Sequence, residues 1–291
     1  MIYLLLSIAS STLILVIFRI FERYNINVFQ GIVYNYITAC AVGFLLFGDE
    51  WKTGDLSTGS WIPYVFIVGA LFISLFLMIG KSSQENGIGI TSVTVKMSLA
   101  IPVLAAIFLY NETVYLAKII GIIAALIGVF LITYQKKVTK KEGDKGDKRK
   151  IWFLIILFVG SGLLDTVVNY VEKVAAGELS LALFSAIGFG VAAILGLIFM
   201  IFKVLTKDIQ LQKRAILGGF LLGVPNFFSI YFLLMAIRFS DLSDSVTYAV
   251  NNTGVVIASF IVGILVFKES ATPLKIVGGV VSIAAILLLT L

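Results

Sequence analysis

Ten stretches of the chain are apolar almost without interruption, near residues 2–18, 28–47, 61–80, 90–110, 114–134, 151–171, 180–202, 215–237, 245–267 and 272–290. Each has 17–23 residues, and a helix rising 1.5 Å per residue needs about 20 to cross a ~30 Å hydrocarbon layer. Hydrocarbon offers no partner to a main-chain N–H or C=O, so spanning segments are helices or closed barrels. Barrel strands alternate over about ten residues, and no such pattern occurs. The expectation is an all-α membrane protein with ten transmembrane helices, embedded in a lipid bilayer and crossing the cell membrane many times. The opening Met1-Ile2-Tyr3-Leu4-Leu5-Leu6 is apolar at once. It lacks the basic stretch of a signal peptide and reads as a first helix that stays.

The segments repeat. Asn111-Glu112-Thr113-Val114-Tyr115-Leu116-Ala117-Lys118-Ile119-Ile120-Gly121 is echoed by Lys268-Glu269-Ser270-Ala271-Thr272-Pro273-Leu274-Lys275-Ile276-Val277-Gly278 at an offset of 157. In the same register Leu77 meets Leu234, Met78 meets Met235, Lys81 meets Arg238 and Ser83 meets Ser240. The first segments of the halves correspond at an offset of 150, with Ser11 on Ser161, Leu13 on Leu163, Glu22 on Glu172 and Arg23 on Lys173. A long internal repeat divides a chain into units. Here the units are 1–134 and 151–291, five helices each, joined by the basic run QKKVTKKEGDKGDKRK over 135–150. Five is odd, so the second unit enters the membrane from the opposite side and the repeat is inverted.

Charge sets the orientation. Loops on the N-terminal side carry Lys52, Lys118, Lys173 and Arg238, while the other side carries seventeen basic residues. Basic loops stay in the cytoplasm, so both ends are expected outside. The net charge of +6 is explained by these loops, and no nucleic-acid partner is implied. There is one cysteine and no histidine, which removes the commonest general base and metal ligand. Intramembrane carboxylates are few and there is no Walker motif, so neither an enzyme nor a cofactor or metal site is expected.

Some polar residues stand where membrane helices rarely hold them. Lys96 lies six residues inside the fourth segment, ~9 Å deep, beside Thr94 and Ser98. A charge there is either functional or snorkels to the interface. Asp165 lies deep in the sixth segment with Asn169 one turn on, and a carboxylate cannot snorkel so far. Asn251 and Asn252 in the ninth segment, and Asn226 after Pro225 in the eighth, need hydrogen-bond partners in hydrocarbon. These six are the candidate substrate-binding residues, and interhelical hydrogen bonding is the plain alternative for the asparagines. Tyr34, Asn35 and Tyr36 are weaker candidates. Glu112 and Glu269 read as carboxylates at helix starts, where free N–H groups and the dipole favour them. Gly121, Gly128, Gly278 and Gly279 read as close-packing positions.

The arrangement resembles the drug/metabolite transporter superfamily, and its EamA-type members in particular. The residues that carry the resemblance are Leu99-Ala100-Ile101-Pro102, Asn111-Glu112 and Ile119-Ile120-Gly121, then Lys268-Glu269 and Lys275-Ile276-Val277-Gly278-Gly279. The second half departs from the pattern with Ser259 in place of proline, and its Pro225 is one helix earlier. The resemblance implies a secondary transporter of small metabolites, most often an exporter of amino acids, with a small-molecule substrate and alternating access between the halves. A proton exchanged at Asp165 is the coupling ion this reading invites. A lipid-linked sugar flippase or an accessory membrane subunit of the same fold is the alternative.

Overall fold

The computed structural model describes residues 1–47, 61–110, 116–133, 146–174, 181–239 and 244–289. Glu112, the acidic connection over 48–60 and most of the basic run after 134 lie outside these residues, as does the side chain of Asn169. Among the described residues there are helices and turns but no strand. The helices are α1 (Ile2–Arg23), α2 (Val28–Phe47), α3 (Ile62–Glu85), α4 (Ile88–Met97), α5 (Ala100–Tyr110), α6 (Leu116–Thr133), α7 (Gly146–Val174), α8 (Leu181–Leu205), α9 (Lys213–Phe239), α10 (Asp244–Leu265) and α11 (Pro273–Leu289). Seven stretches are long and apolar enough to cross a membrane: Ile2–Arg23, Val28–Phe47, Ile62–Glu85, Ile88–Ala105, Ile151–Val168, Ala182–Leu205 and Lys213–Phe239. Three shorter apolar helices accompany them, Ile119–Gly128, Val250–Leu265 and Pro273–Leu288. The chain is an all-α, multi-pass membrane protein.

Two expectations change. The fourth segment is not one helix but two, α4 and α5, separated at Ser98–Leu99. The cause is Pro102: it has no N–H to give the carbonyl of Ser98, and its ring crowds that carbonyl. The backbone tightens there, with Leu99 N–H donating to Lys96 O at 3.4 Å and Ile101 N–H to Ser98 O at 2.9 Å. The basic run also surrenders its last five residues, because α7 begins at Gly146 rather than near Ile151. Lysine and arginine are good helix formers, so a membrane helix continues through them into water.

Among the described residues, three apolar cores hold the bundle, one of them built on Trp61, Val68, Val171 and Phe184; the other two are larger. One gathers Phe18, Phe21, Ile32, Tyr36, Phe189 and Phe227 from α1, α2, α8 and α9. The other gathers Val93, Met97, Leu157 and Val256 from α4, α7 and α10. The α6–α11 pair is as tight as its glycines imply: a Cβ at Gly128 would stand 3.3 Å from Gly278 O and press on Ser282 Oγ. A closer crossing, unforeseen from the sequence, joins α2 to α9. There a Cβ on Gly219 would lie 2.7 Å from Gly31 O and 2.9 Å from Asn35 N, and one on Gly223 would lie 2.6 Å from Asn35 O. Gly219 and Gly223 form a small-xxx-small pair that lets two backbones touch.

The helix ends sort onto two faces. On one, here called the basic face, the α1–α2 turn is tied to the α8–α9 turn. Gln212 N–H donates to Gln30 Oε1 at 2.8 Å, Gln30 Nε2 donates to Gln210 O at 2.7 Å, and Asn27 N–H donates to Gln212 Oε1 at 2.8 Å. Gln30 is wholly buried. Gln30→Leu keeps the volume but orphans two main-chain groups, each worth about 1–3 kcal/mol when unsatisfied. The variant should melt well below the parent in detergent, and an unchanged melting temperature would show that this clamp contributes nothing.

Candidate functional site

The ten-residue helix α4 is the most enclosed part of the molecule. It packs against α1, α3, α6, α7, α10 and α11. All its residues except Val95 and Lys96 are buried. Thr91, Ser92 and Thr94 are accommodated because their hydroxyls return to their own helix, to Gly87 O, Gly89 O and Ile90 O. Lys96 stands in the last turn, half-buried, immediately before the break. A cation there meets the negative end of the helix dipole and the carbonyls that the break leaves short of donors.

Asp165 faces it from α7. That helix turns Trp152, Ile156, Val159 and Leu163 outward. The opposite side carries Leu154, Leu157, Phe158 and Ser161, all buried, and Asp165 continues that row. Asp165 is densely surrounded by protein and yet much of its side-chain surface remains open. Lys96 and Asp165 are close enough to attract one another electrostatically. No ion pair joins them: among the described residues the ion pairs are Arg19–Glu22 and Lys81–Glu85. A cation and a carboxylate thus stand on neighbouring helices with no ion pair between them.

Other candidates divide. Asn251 and Asn252 are buried on α10, which packs on α4. Asn251 Oδ1 has no hydrogen-bond partner, and neither has Thr253 Oγ1 beside it. On α7, Ser161 Oγ is buried without a partner one turn before Asp165. Thr253 belongs to the polar stretch Asn251-Asn252-Thr253-Gly254 read in the ninth segment, while Ser161 was not singled out, since isolated hydroxyls are common in membrane helices. Buried polar atoms are normally satisfied; unpaired ones also occur at Thr12, Asn35, Ser259 and Ser282, so they do not by themselves single out Lys96. Asn226 is not brought to Lys96. Its helix α9 packs on α1, α2, α8 and α10 but not on α4. Its carbonyl accepts from Ser229 Oγ, and Ser229 O accepts from Ser7 Oγ at 2.9 Å, although Asn226 Nδ2 is unpaired. Asn169 follows Asp165 by one turn of α7. Tyr36 is structural, donating to Phe72 O at 2.6 Å, and Asn35 is buried against the glycines of α9.

Glu269 does satisfy free N–H groups at a helix start, but not at its own helix. Its Oε1 accepts from Ile88 N–H at 2.8 Å, at the start of α4. Spacing along the chain assigns a cap to the next helix, and only the tertiary arrangement redirects it. The short helix thereby carries an anion at its positive end and Lys96 at its negative end, the favourable sense at both.

No described protein family's sequence profile matches the chain. A protein of Haemophilus influenzae, described as uncharacterized, is 31% identical over 288 residues, covering 97% of this chain and 95% of its own length. A solved structure described as "Crystal structure of protein" superposes with a TM-score of 0.60 over 97% of this chain and 95% of that one, at 12% identity. At that identity the likeness is one of fold.

Proposed function

The chain belongs to the family of the Haemophilus influenzae protein, and we propose that it is a secondary transporter of small metabolites, an EamA-type member of the drug/metabolite transporter superfamily. The observation that carries this reading is the meeting of Lys96 and Asp165. Two opposite charges held apart in a low-dielectric cavity are each costly, and each gains from a counter-charge. A small zwitterion answers both. Its carboxylate lies at Lys96 and its ammonium at Asp165, with Asn251 supplying an acceptor. Export of amino acids or close relatives across the cell membrane is the activity that fits.

The packing supports two inverted five-helix halves. With α1 set against α7, α2 against α8, α3 against α9, α4–α5 against α10 and α6 against α11, most contacts have a mate. The pair α2–α9 mirrors α8–α3, α1–α9 mirrors α7–α3, and α1–α10 mirrors the contacts of α7 with α4 and α5. The pairs α2–α8 and α6–α11 lie on the symmetry axis, mated to themselves. Sites in such proteins sit between the repeats, at broken helices.

The test is a thermal-shift panel of amino acids, other zwitterions, sugars and organic cations on purified protein, followed by flux of the best binder in liposomes. Zwitterions should raise the melting temperature and cross the membrane under a pH gradient. Asp165→Asn should remove the dependence on that gradient. If the dependence survives, Asp165 is not the coupling group. If no zwitterion or carboxylate binds or crosses, the transporter reading fails.

A further inference from the structure

On the basic face the α3–α4 turn meets the α10–α11 turn through one side chain. The main chain of Glu269 is fixed to α10 by its N–H, which donates to Gly263 O at 2.9 Å. Its carboxylate reaches across to Ile88 N–H. It lies between two glycines: a Cβ at Gly263 would stand 2.7 Å from Oε2, and one at Gly87 would stand 2.5 Å from the same atom. Gly87 has φ +92°, a conformation that costs other residues strain. Both glycines therefore keep a space shaped to the carboxylate.

The helix so held has a joint at each end. It is joined to α3 through Gly87 and to α5 through the break at Ser98–Leu99. Its hydroxyls are spent on its own backbone, apart from Thr91 Oγ1 with Ser82 Oγ at 2.8 Å, a bond within the first half. The Glu269 carboxylate is a polar contact between α4 and the second half. Between Glu269 and Lys96 the helix is sealed, with Thr91, Ser92, Val93 and Thr94 all buried.

We propose that Glu269 is the latch of a gate on the basic face: with its carboxylate on the first turn of α4 the route from Lys96 to that face is shut, and the route opens when α4 leaves it. The proposal rests on the transporter reading for its purpose but not for its test. Cys40 is the one cysteine of the chain. In a Cys40→Ala background, Ser92→Cys places a thiol one turn inside the latch, at a position 2% exposed. Its labelling by a small maleimide in detergent reads opening without any substrate. Glu269→Ala should speed labelling about tenfold or more, the factor expected for losing a hydrogen bond to a charged group. Glu269→Gln keeps an acceptor oxygen at the same reach and should fall between. Parent-like labelling in both variants overturns the latch. Should Glu269→Ala fail to fold, Glu269→Gln decides alone: about threefold faster labelling sustains the latch and an unchanged rate sinks it. Faster labelling with no transported solute leaves the latch and removes the transporter; transport with unchanged labelling does the reverse.

Discussion

Lys96→Ala should abolish binding of a zwitterionic or carboxylate substrate, while Lys96→Arg should keep a measurable part of it. The ammonium already sits at the negative end of α4 and within the field of Asp165, yet neither forms an ion pair with it. A substrate carboxylate adds the contact that is missing. Truncating one partner of a buried charge pair costs about 2–5 kcal/mol, which takes a micromolar binder to tens of micromolar at the low end and to millimolar, beyond ordinary detection, at the high end. Arginine preserves the charge but not the point geometry. Isothermal titration with the best solute from the panel measures the effect, and the thermal midpoint without solute separates it from folding. Wild-type affinity in Lys96→Ala, or a substrate that is an uncharged sugar or a cation, would leave Lys96 as a partner of the helix end alone.

Gly219→Leu should yield no folded protein, and Gly219→Ala should be destabilised by about 1–3 kcal/mol or more, the usual cost of overpacking. The reason is what the new atoms meet. Around Gly219 they are the main chain of α2, at Gly31 O and Asn35 N, and the Cβ of Tyr34. A backbone cannot step aside as a side-chain tip can. Gly188→Ala is the matched control: its Cβ would stand 3.2 Å from the ring of Phe72, which can tilt. Melting in detergent and elution as a single species compare the three. Equal stability in Gly219→Ala and Gly188→Ala would mean that the α2–α9 crossing is looser than drawn.

The apolar segments were legible because hydrocarbon permits so few backbone solutions. The boundaries of α2 match the sequence reading at both ends, Val28 and Phe47, since polar residues bracket the apolar run in the sequence. The break at Ser98–Leu99 was legible in principle, because Pro102 was in view; its local consequence was outweighed by the unbroken apolar run around it. Lys96 and Asp165 stood out as single charges in apolar surroundings, a signal needing no knowledge of neighbours. Glu269 was read as a cap but assigned to the wrong helix, and Gln30 was not read at all. Both act across about 180 residues of chain, through contacts that only the packed bundle creates. Gly219 and Gly223 were hidden for a related reason: 26 glycines are scattered through the sequence, and which of them face another backbone is decided by the rotation of each helix.

The unjoined pair at the centre also has an electrical meaning. Lys96 and Asp165 together carry no net charge, and a bound zwitterion adds none. A membrane potential does work of about 2.3 kcal/mol per elementary charge per 100 mV, so carrying such a solute past this pair is work the potential neither helps nor hinders. On the transport reading proposed above, voltage would enter only when Asp165 took up a proton, which would leave the site with one uncompensated positive charge. The cell's voltage would then act on the proton and not on the cargo, and a chain with a single acidic side chain at its centre would divide its two driving forces between two different passengers.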